Sequence, residues 1–273
     1  CRSRGGFVVE DAAQAMGGKF NGRLLGTIGD VGFFSLGRGK NITCGSGGII
    51  VTNSREISER IKREYLSLPA PGIVRAVTMF IEVLLMAIFI QPGLYWLPAH
   101  LPFLELGNTT FNVNFPLGQL GGMKAGLLIG WRRLLEKSNR DRMEMTKHFI
   151  NNLKLEVPVL QPCACLRLPV ILPEREFTDY IYQRSCEMGL GIGRMYPTAI
   201  SMIEAVRPEF YTKSFPFAEM IAQRLVTIPT HRYVSGEVRK AICGLFNELY
   251  MGKEFRMHCR ANGRYRGQSL KRL

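Results

Sequence analysis

Three short apolar runs crowd the first fifth of the chain: Phe7-Val8-Val9 leading into Glu10-Asp11, then Val31 to Ser35, then Gly48 to Thr52. Glycine-rich loops separate them. Runs this short, rich in β-branched and aromatic residues and bounded by glycine, read as strands. Ala12 to Ala15 reads as a short helical start. At Ser54 the pattern changes, because Ser54-Arg55-Glu56-Ile57-Ser58-Glu59-Arg60-Ile61 opens on a capping serine and continues as an amphipathic helix. Further on, Leu127, Leu128, Trp131, Leu134 and Leu135 recur at helical spacing within a long helix expected over Ala125 to Leu153. Arg167 to Leu172 reads as a strand and Glu176 to Met188 as a helix. Gly189 to Tyr196 reads as a loop entering a strand, and Gly236 to Leu249 as a last amphipathic helix. Alternating strands and helices make the first part α/β and the second α+β.

The chain has 273 residues, 46% of them hydrophobic, enough for one large or two ordinary domains with an ample core. Its formal charge of +14 raises the question of nucleic acid. Its distribution argues against that partner. From Lys253 onward seven basic residues (Lys253, Arg256, Arg260, Arg264, Arg266, Lys271, Arg272) face one acid, Glu254, with few apolar residues among them. That composition reads as a solvated, disordered tail over 253–273, with a membrane-surface or phosphate-attracting tail as the alternative. The seven cysteines lack framework spacing. Cys163-Ala164-Cys165 has no histidine cluster beside it, so zinc is not expected, and reduced thiols in a cytoplasmic protein are.

Ile73 to Ile90 is almost wholly apolar, broken by Arg75, Thr78 and Glu82 and stopped by Gln91-Pro92-Gly93. A membrane span needs roughly 20 apolar residues, and a carboxylate near its middle is costly. A buried or interface helix is the favoured reading. A membrane-associated hairpin reaching Tyr95 and Trp96 stays open as an alternative, and with it a peripheral membrane contact through 73–98.

The residues with chemistry to offer fall around the first strands. Asp11 ends the first apolar run, Gln14 follows it, Ser35 ends the second, and Lys40 lies in Gly37-Arg38-Gly39-Lys40-Asn41. The glycine spacing fits neither a dinucleotide fingerprint nor a P-loop. The run Val9-Glu10-Asp11-Ala12-Ala13-Gln14-Ala15, then Gly26-Thr27-Ile28-Gly29-Asp30, Phe34-Ser35 to Lys40-Asn41, and Gly47-Gly48 resembles the DegT/DnrJ/StrS family of pyridoxal phosphate-dependent sugar aminotransferases. Met123-Lys124-Ala125, Tyr196-Pro197 and Phe215-Pro216 through Ile228-Pro229 to His231 resemble its later landmarks.

That resemblance implies the pyridoxal phosphate transferase fold of type I, the aspartate aminotransferase-like fold, with a small α+β C-terminal domain. It implies pyridoxal 5′-phosphate as cofactor, held by Asp11, Gln14, Ser35 and Lys40. Lys40 would form the Schiff base and move the proton, Asp11 would keep the pyridine nitrogen protonated, Gln14 would lie against the ring, and Ser35 would donate to the phosphate. The activity implied is amino transfer from an amino acid such as glutamate to a nucleotide-linked keto sugar, in polysaccharide or antibiotic-sugar synthesis, with a homodimer when full length. Lys40 separates the chain from the family's dehydratase branch, where a histidine takes that place.

Three departures accompany the match. Ser46 stands where the family carries an acid before Gly47-Gly48. Asn112 and Asn114 lie near, but not at, the offset of the asparagine that reaches a neighbouring subunit's phosphate. The family also carries a further stretch ahead of the first strand, so the chain reads as lacking the N-terminal part of its large domain. The expected organisation is 1–120 as the rest of that domain with an apolar insertion at 73–98, 121–252 as interdomain helix and small domain, and the tail. A non-catalytic or regulatory protein retaining the fold is the alternative.

Overall fold

The computed structural model describes residues 2–89, 94, 115, 117–155 and 163–251. The expectations for Tyr95, Trp96, Asn112, Asn114, the end of the 73–98 insertion and the 253–273 tail lie outside the described residues. Two compact units form: Cys1–Thr146 with Pro162–Arg167 and Thr230–Tyr233, and Lys147–Gln161 with Leu168–Pro229 and Val234–Leu273.

The first unit is built on a three-stranded sheet of β1 (Val9–Asp11), β4 (Val31–Ser35) and β5 (Gly48–Val51), in the order β1-β4-β5. β1 runs parallel to β4, with Val9 opposite Val31 and Asp11 opposite Phe33. β5 returns antiparallel, with Ser35 opposite Gly48. The crossover from β1 to β4 holds no helix. Asp11 Oδ1 accepts from the Ala13 N–H at 3.0 Å, and Ala15 and Gly18 N–H groups then bond Ala12 and Ala15 carbonyls. The helical start expected at Ala12 to Ala15 is therefore a chain of turns, since a short acid at the strand end ties up the first amide locally. A hairpin follows, β2 (Lys19–Phe20) against β3 (Arg23–Leu24), turning at Asn21 and Gly22 with φ of 47° and 77°. Asn-Gly is the dipeptide best able to take two left-handed residues.

Glu10 holds this crossover down. Its carboxylate accepts from the N–H groups of Gly26 (2.5 Å), Ile28 (2.9 Å) and Gly29 (3.1 Å). The bond from Gly26 foremost draws its pKa below the usual carboxylate value, against the opposing pull of burial. Underneath, Met16, Leu36, Ile42, Cys44 and Leu135 form a buried cluster, with Phe34, Ile49, Leu120 and Leu128 packed on it.

Helix α1 (Arg55–Ser67) begins as expected, with the Ser54 hydroxyl accepting from Ile57 N–H. Helix α2 (Ile73–Phe89) occupies the apolar segment. Only Ala76, Met79, Val83 and Phe89 along it are half-buried among the residues with described side chains, while Ile73, Val77, Phe80, Ile81, Leu84 and Ile88 are exposed. Of the expected buried or interface helix, the buried alternative does not hold within this chain. No helix among the described residues is long and apolar enough to cross a membrane. The long helix expected from Ala125 is divided. A short α3 (Gly122–Gly126) is followed by a turn in which Gly130 has φ of 76°, and α4 runs Trp131–Asn152.

In the second unit, β6 (Arg167–Ile171) neighbours β7 (Leu225–Pro229). They pack with α5 (Arg175–Met188), α6 (Pro216–Arg224) and α7 (Gly236–Met251). Leu168, Val170, Ile181, Val226, Ile228, Ile242 and Phe246 are its buried centre. The strand expected after Gly189 reduces to one bridge, Gly193 to Thr227. Cys163 and Cys165 lie side by side, with Cα atoms 5.4 Å apart. Among the described residues no group of His, Cys, Asp or Glu could hold a metal ion.

Candidate active site

Because β1 and β4 are parallel, their C-terminal ends lie at one edge of the sheet, and the residues just past those ends share it. Asp11 is the last residue of β1 and Ser35 the last of β4. The chain leaving Ser35 makes a closed loop over 36–47. Leu36 N–H bonds Gly47 C=O at 2.8 Å, Cys44 N–H bonds Leu36 C=O at 3.2 Å, and Gly37 bridges Gly45. Lys40 lies at the far end of that loop. Gly39, Gly45 and Gly47 take positive φ there, which turns the backbone back without a side-chain penalty.

Lys40 is half-buried, and burial pulls its pKa below the usual lysine value. The Asp11 carboxylate is near enough to act in the opposite sense, as the smaller effect. The Ser35 hydroxyl accepts from Gly37 N–H at 3.2 Å. A Cβ at Gly39 would meet nothing within 4 Å, and one at Gly37 only the Ser35 hydroxyl. Open space therefore adjoins a hydroxyl and a glycine backbone. Gln14 is exposed in the turn that follows Asp11. Asp11, Ser35 and Lys40 are thus gathered at one sheet edge, with Gln14 one turn beyond Asp11.

Sequence reasoning missed three residues around them. Lys124, only 3% exposed, donates to the Ser46 hydroxyl at 2.7 Å. The serine that stands in place of an acid therefore still receives a buried amine. On α4, Arg142 reaches the Gly39 carbonyl and Asn139 accepts from the Asn41 side chain, one on each flank of Lys40. The signal was legible: Leu135, Asn139, Arg142, Met145 and Phe149 fall on one helical stripe, and polar residues on a core-facing stripe have partners to meet.

Two further features stand apart. A depression of about 300 Å³ is lined by Phe7, Arg23, Asp30, Asn53 and Ile57, at the opposite end of the strands from Lys40. Beside Thr230, His231 has its pKa pushed down by burial first and then by Arg142 and Arg167.

Residues 1–85 match the DegT/DnrJ/EryC1/StrS aminotransferase family. Among curated relatives, the chain is 46% identical over 59 residues to a GDP-perosamine synthase of Escherichia coli O157:H7, covering 22% of this chain and 16% of that one. Among solved structures, it superposes on a DegT DnrJ EryC1 StrS aminotransferase from Brucella abortus. The TM-score is 0.65 at 21% identity, over 92% of this chain and 59% of the other. An E. coli GDP-4-keto-6-deoxy-D-mannose-3-dehydratase with bound hydrated PLP matches at TM-score 0.61 and 16% identity, over 88% of this chain and 60% of that one. The chain thus matches less than a fifth of that synthase's length, and about three-fifths of each of these structures. Its first 85 residues match that family's model, and its fold is similar to that of these solved structures.

Proposed function

We propose that the chain is the lysine-bearing part of a pyridoxal phosphate-dependent aminotransferase that moves an amino group from an amino acid such as glutamate to a nucleotide-linked keto sugar. The observation that carries the reading is the gathering of Asp11, Ser35 and Lys40 at the sheet edge, with a lysine whose amine is drawn toward neutrality by burial. The residues fit the cofactor. Asp11 presents an anion for a ring nitrogen, and Ser35 with Gly37 and Gly39 offers a hydroxyl and open backbone for a phosphate. Gln14, exposed in the turn after Asp11, would offer its amide to the ring. When bound, the cofactor supplies an electron sink for the carbon that loses its proton.

The chain's own part is acid–base and positional. A lysine can attack a carbonyl or accept a proton only when neutral, and burial raises the neutral fraction of Lys40 near pH 7. Asp11 works from the other side, holding a proton on whatever nitrogen it faces. Its own bond to Ala13 N–H fixes the direction of the carboxylate. The exposed apolar face of α2, in a chain whose overall formal charge is +14, supports a working position against an anionic lipid surface.

The test is direct. Pyridoxal phosphate added to the 273-residue chain should give the absorbance of a lysine imine, and borohydride should fix the label on the peptide containing Lys40. The K40A variant should give neither. Labelling at other lysines with Lys40 untouched would remove the enzymatic reading and favour a non-catalytic protein of the same fold.

A further inference from the structure

The two residues flanking Lys40 are both held from α4. Asn41, 6% exposed, donates through Nδ2 to Asn139 Oδ1 at 2.7 Å. Asn139 then donates through its own Nδ2 to the Met16 carbonyl at 3.0 Å. On the other flank, Arg142 Nη2 reaches the Gly39 carbonyl at 3.5 Å. Its Nη1 is anchored to the Leu166 carbonyl at 2.8 Å and to Thr230 Oγ1 at 3.2 Å. Arg142 is itself 6% exposed, so its head group is fixed by packing as well as by bonds.

Asn139 is the informative member. Met16 lies in the chain of turns begun at Asp11, so one amide ties the turn carrying Asp11 and Gln14 to the loop carrying Lys40. The amide must face as it does, because a carbonyl such as Met16 C=O can only accept. The approach is tight: a Cβ on Gly17, whose φ is +83°, would fall 2.5 Å from Asn139 Nδ2. Gly17 is glycine for two reasons, the positive φ and this amide.

We infer that Asn139 is a positioning residue that sets the distance and direction between Lys40 and Asp11, with Arg142 holding the other flank of the lysine. It touches neither reacting group. It acts through Asn41 on one side and Met16 on the other. The inference deepens the aminotransferase reading and rests on it only for the role given to Lys40. The placement of the lysine itself is open to measurement without cofactor.

Three variants separate this from a merely structural role. N139A removes both bonds. N139D keeps the shape and the bond from Asn41 but sets a carboxylate against the Met16 carbonyl. R140A, at an exposed neighbour on the same helix, is the control. In the full chain without cofactor, the pH dependence of Lys40 acylation by a small reagent, read by peptide mass spectrometry, reports its pKa. Burial is the larger influence on Lys40 and Asp11 the smaller, opposing one. Freeing the loop should therefore raise the pKa toward that of ordinary lysine and slow labelling at pH 7.5.

A shift of about one unit corresponds to roughly tenfold in rate. N139D and N139A should both show a decrease of several-fold, while R140A should match the wild type. An unchanged Lys40 profile in folded N139D overturns the proposal, whatever happens to its melting temperature. Should N139A fail to fold, N139L, which removes both bonds without adding a charge beside Lys40, decides in its place. Failure of the wild type to take up pyridoxal phosphate would overturn the functional reading and leave this one to stand or fall on the labelling.

Discussion

Glu10 and Lys40 show how differently one sheet treats its charged residues. Glu10 is a carboxylate serving as a backbone partner, with three amides converging on it. E10Q keeps the size but loses charge-assisted bonds, and should lower unfolding free energy by about 1 kcal/mol. The sign with pH follows from its lowered pKa. Its stabilisation is complete above the unfolded glutamate range near about 4.3, and is lost as pH falls through the lower folded value. Urea midpoints at pH 7 and pH 3.5 should therefore differ less for E10Q than for the wild type. The sequence made Asp11, Ser35 and Lys40 visible because their residue types match a chemistry. Glu10 looks like another strand acid, and its role depends on a loop sixteen to nineteen residues away. Asn139 was marked by its place on the core-facing stripe of α4, but its two partners come from segments with no local pattern linking them, so what it meets was not legible.

At the scale of elements, strands and amphipathic helices were legible where local pattern and tertiary need agreed. Val31 to Ser35 and the capped α1 are the clearest cases. S54A should weaken α1 by about 1 kcal/mol, seen as a lower thermal midpoint by circular dichroism. Legibility failed where glycine or a short polar side chain redirected the backbone. Asp11 turned an expected helical start into turns, and Gly130 divided the long helix. The β1–β4 crossover is the most exacting piece. A Cβ on Gly32 would fall 1.9 Å from the Gly26 carbonyl oxygen. Since backbone cannot move aside as a side chain can, G32A should cost about 3 kcal/mol and disturb the Glu10 anchor with it. Its urea midpoint, measured beside that of E10Q, checks this.

For the molecule as a whole, the exposed side of α2 is a wide break with a water-facing surface among the described residues. At about 100° per residue, Ile73, Val77, Phe80, Ile81, Leu84 and Ile88 fall within one continuous sector, apart from Arg75, Thr78 and Glu82. Such a face associates with something apolar. The variant I81E/L84E should lose co-sedimentation with anionic vesicles while Lys40 labelling is unchanged. Persistent binding at low salt would instead assign the contact to charge alone. The Asn41–Asn139 bond also has a temporal meaning. β1 finds β4 with partners such as Val9 and Val31 close along the chain, whereas Asn41 and Asn139 are 98 residues apart. Closing the longer loop costs about 1.3 kcal/mol more in chain entropy, so during folding the sheet should assemble first and α4 should dock on it later. A chain caught between those events would have a finished sheet edge while the loop carrying Lys40 was still untied from α4, and the last contact made would be the one that closes that loop down.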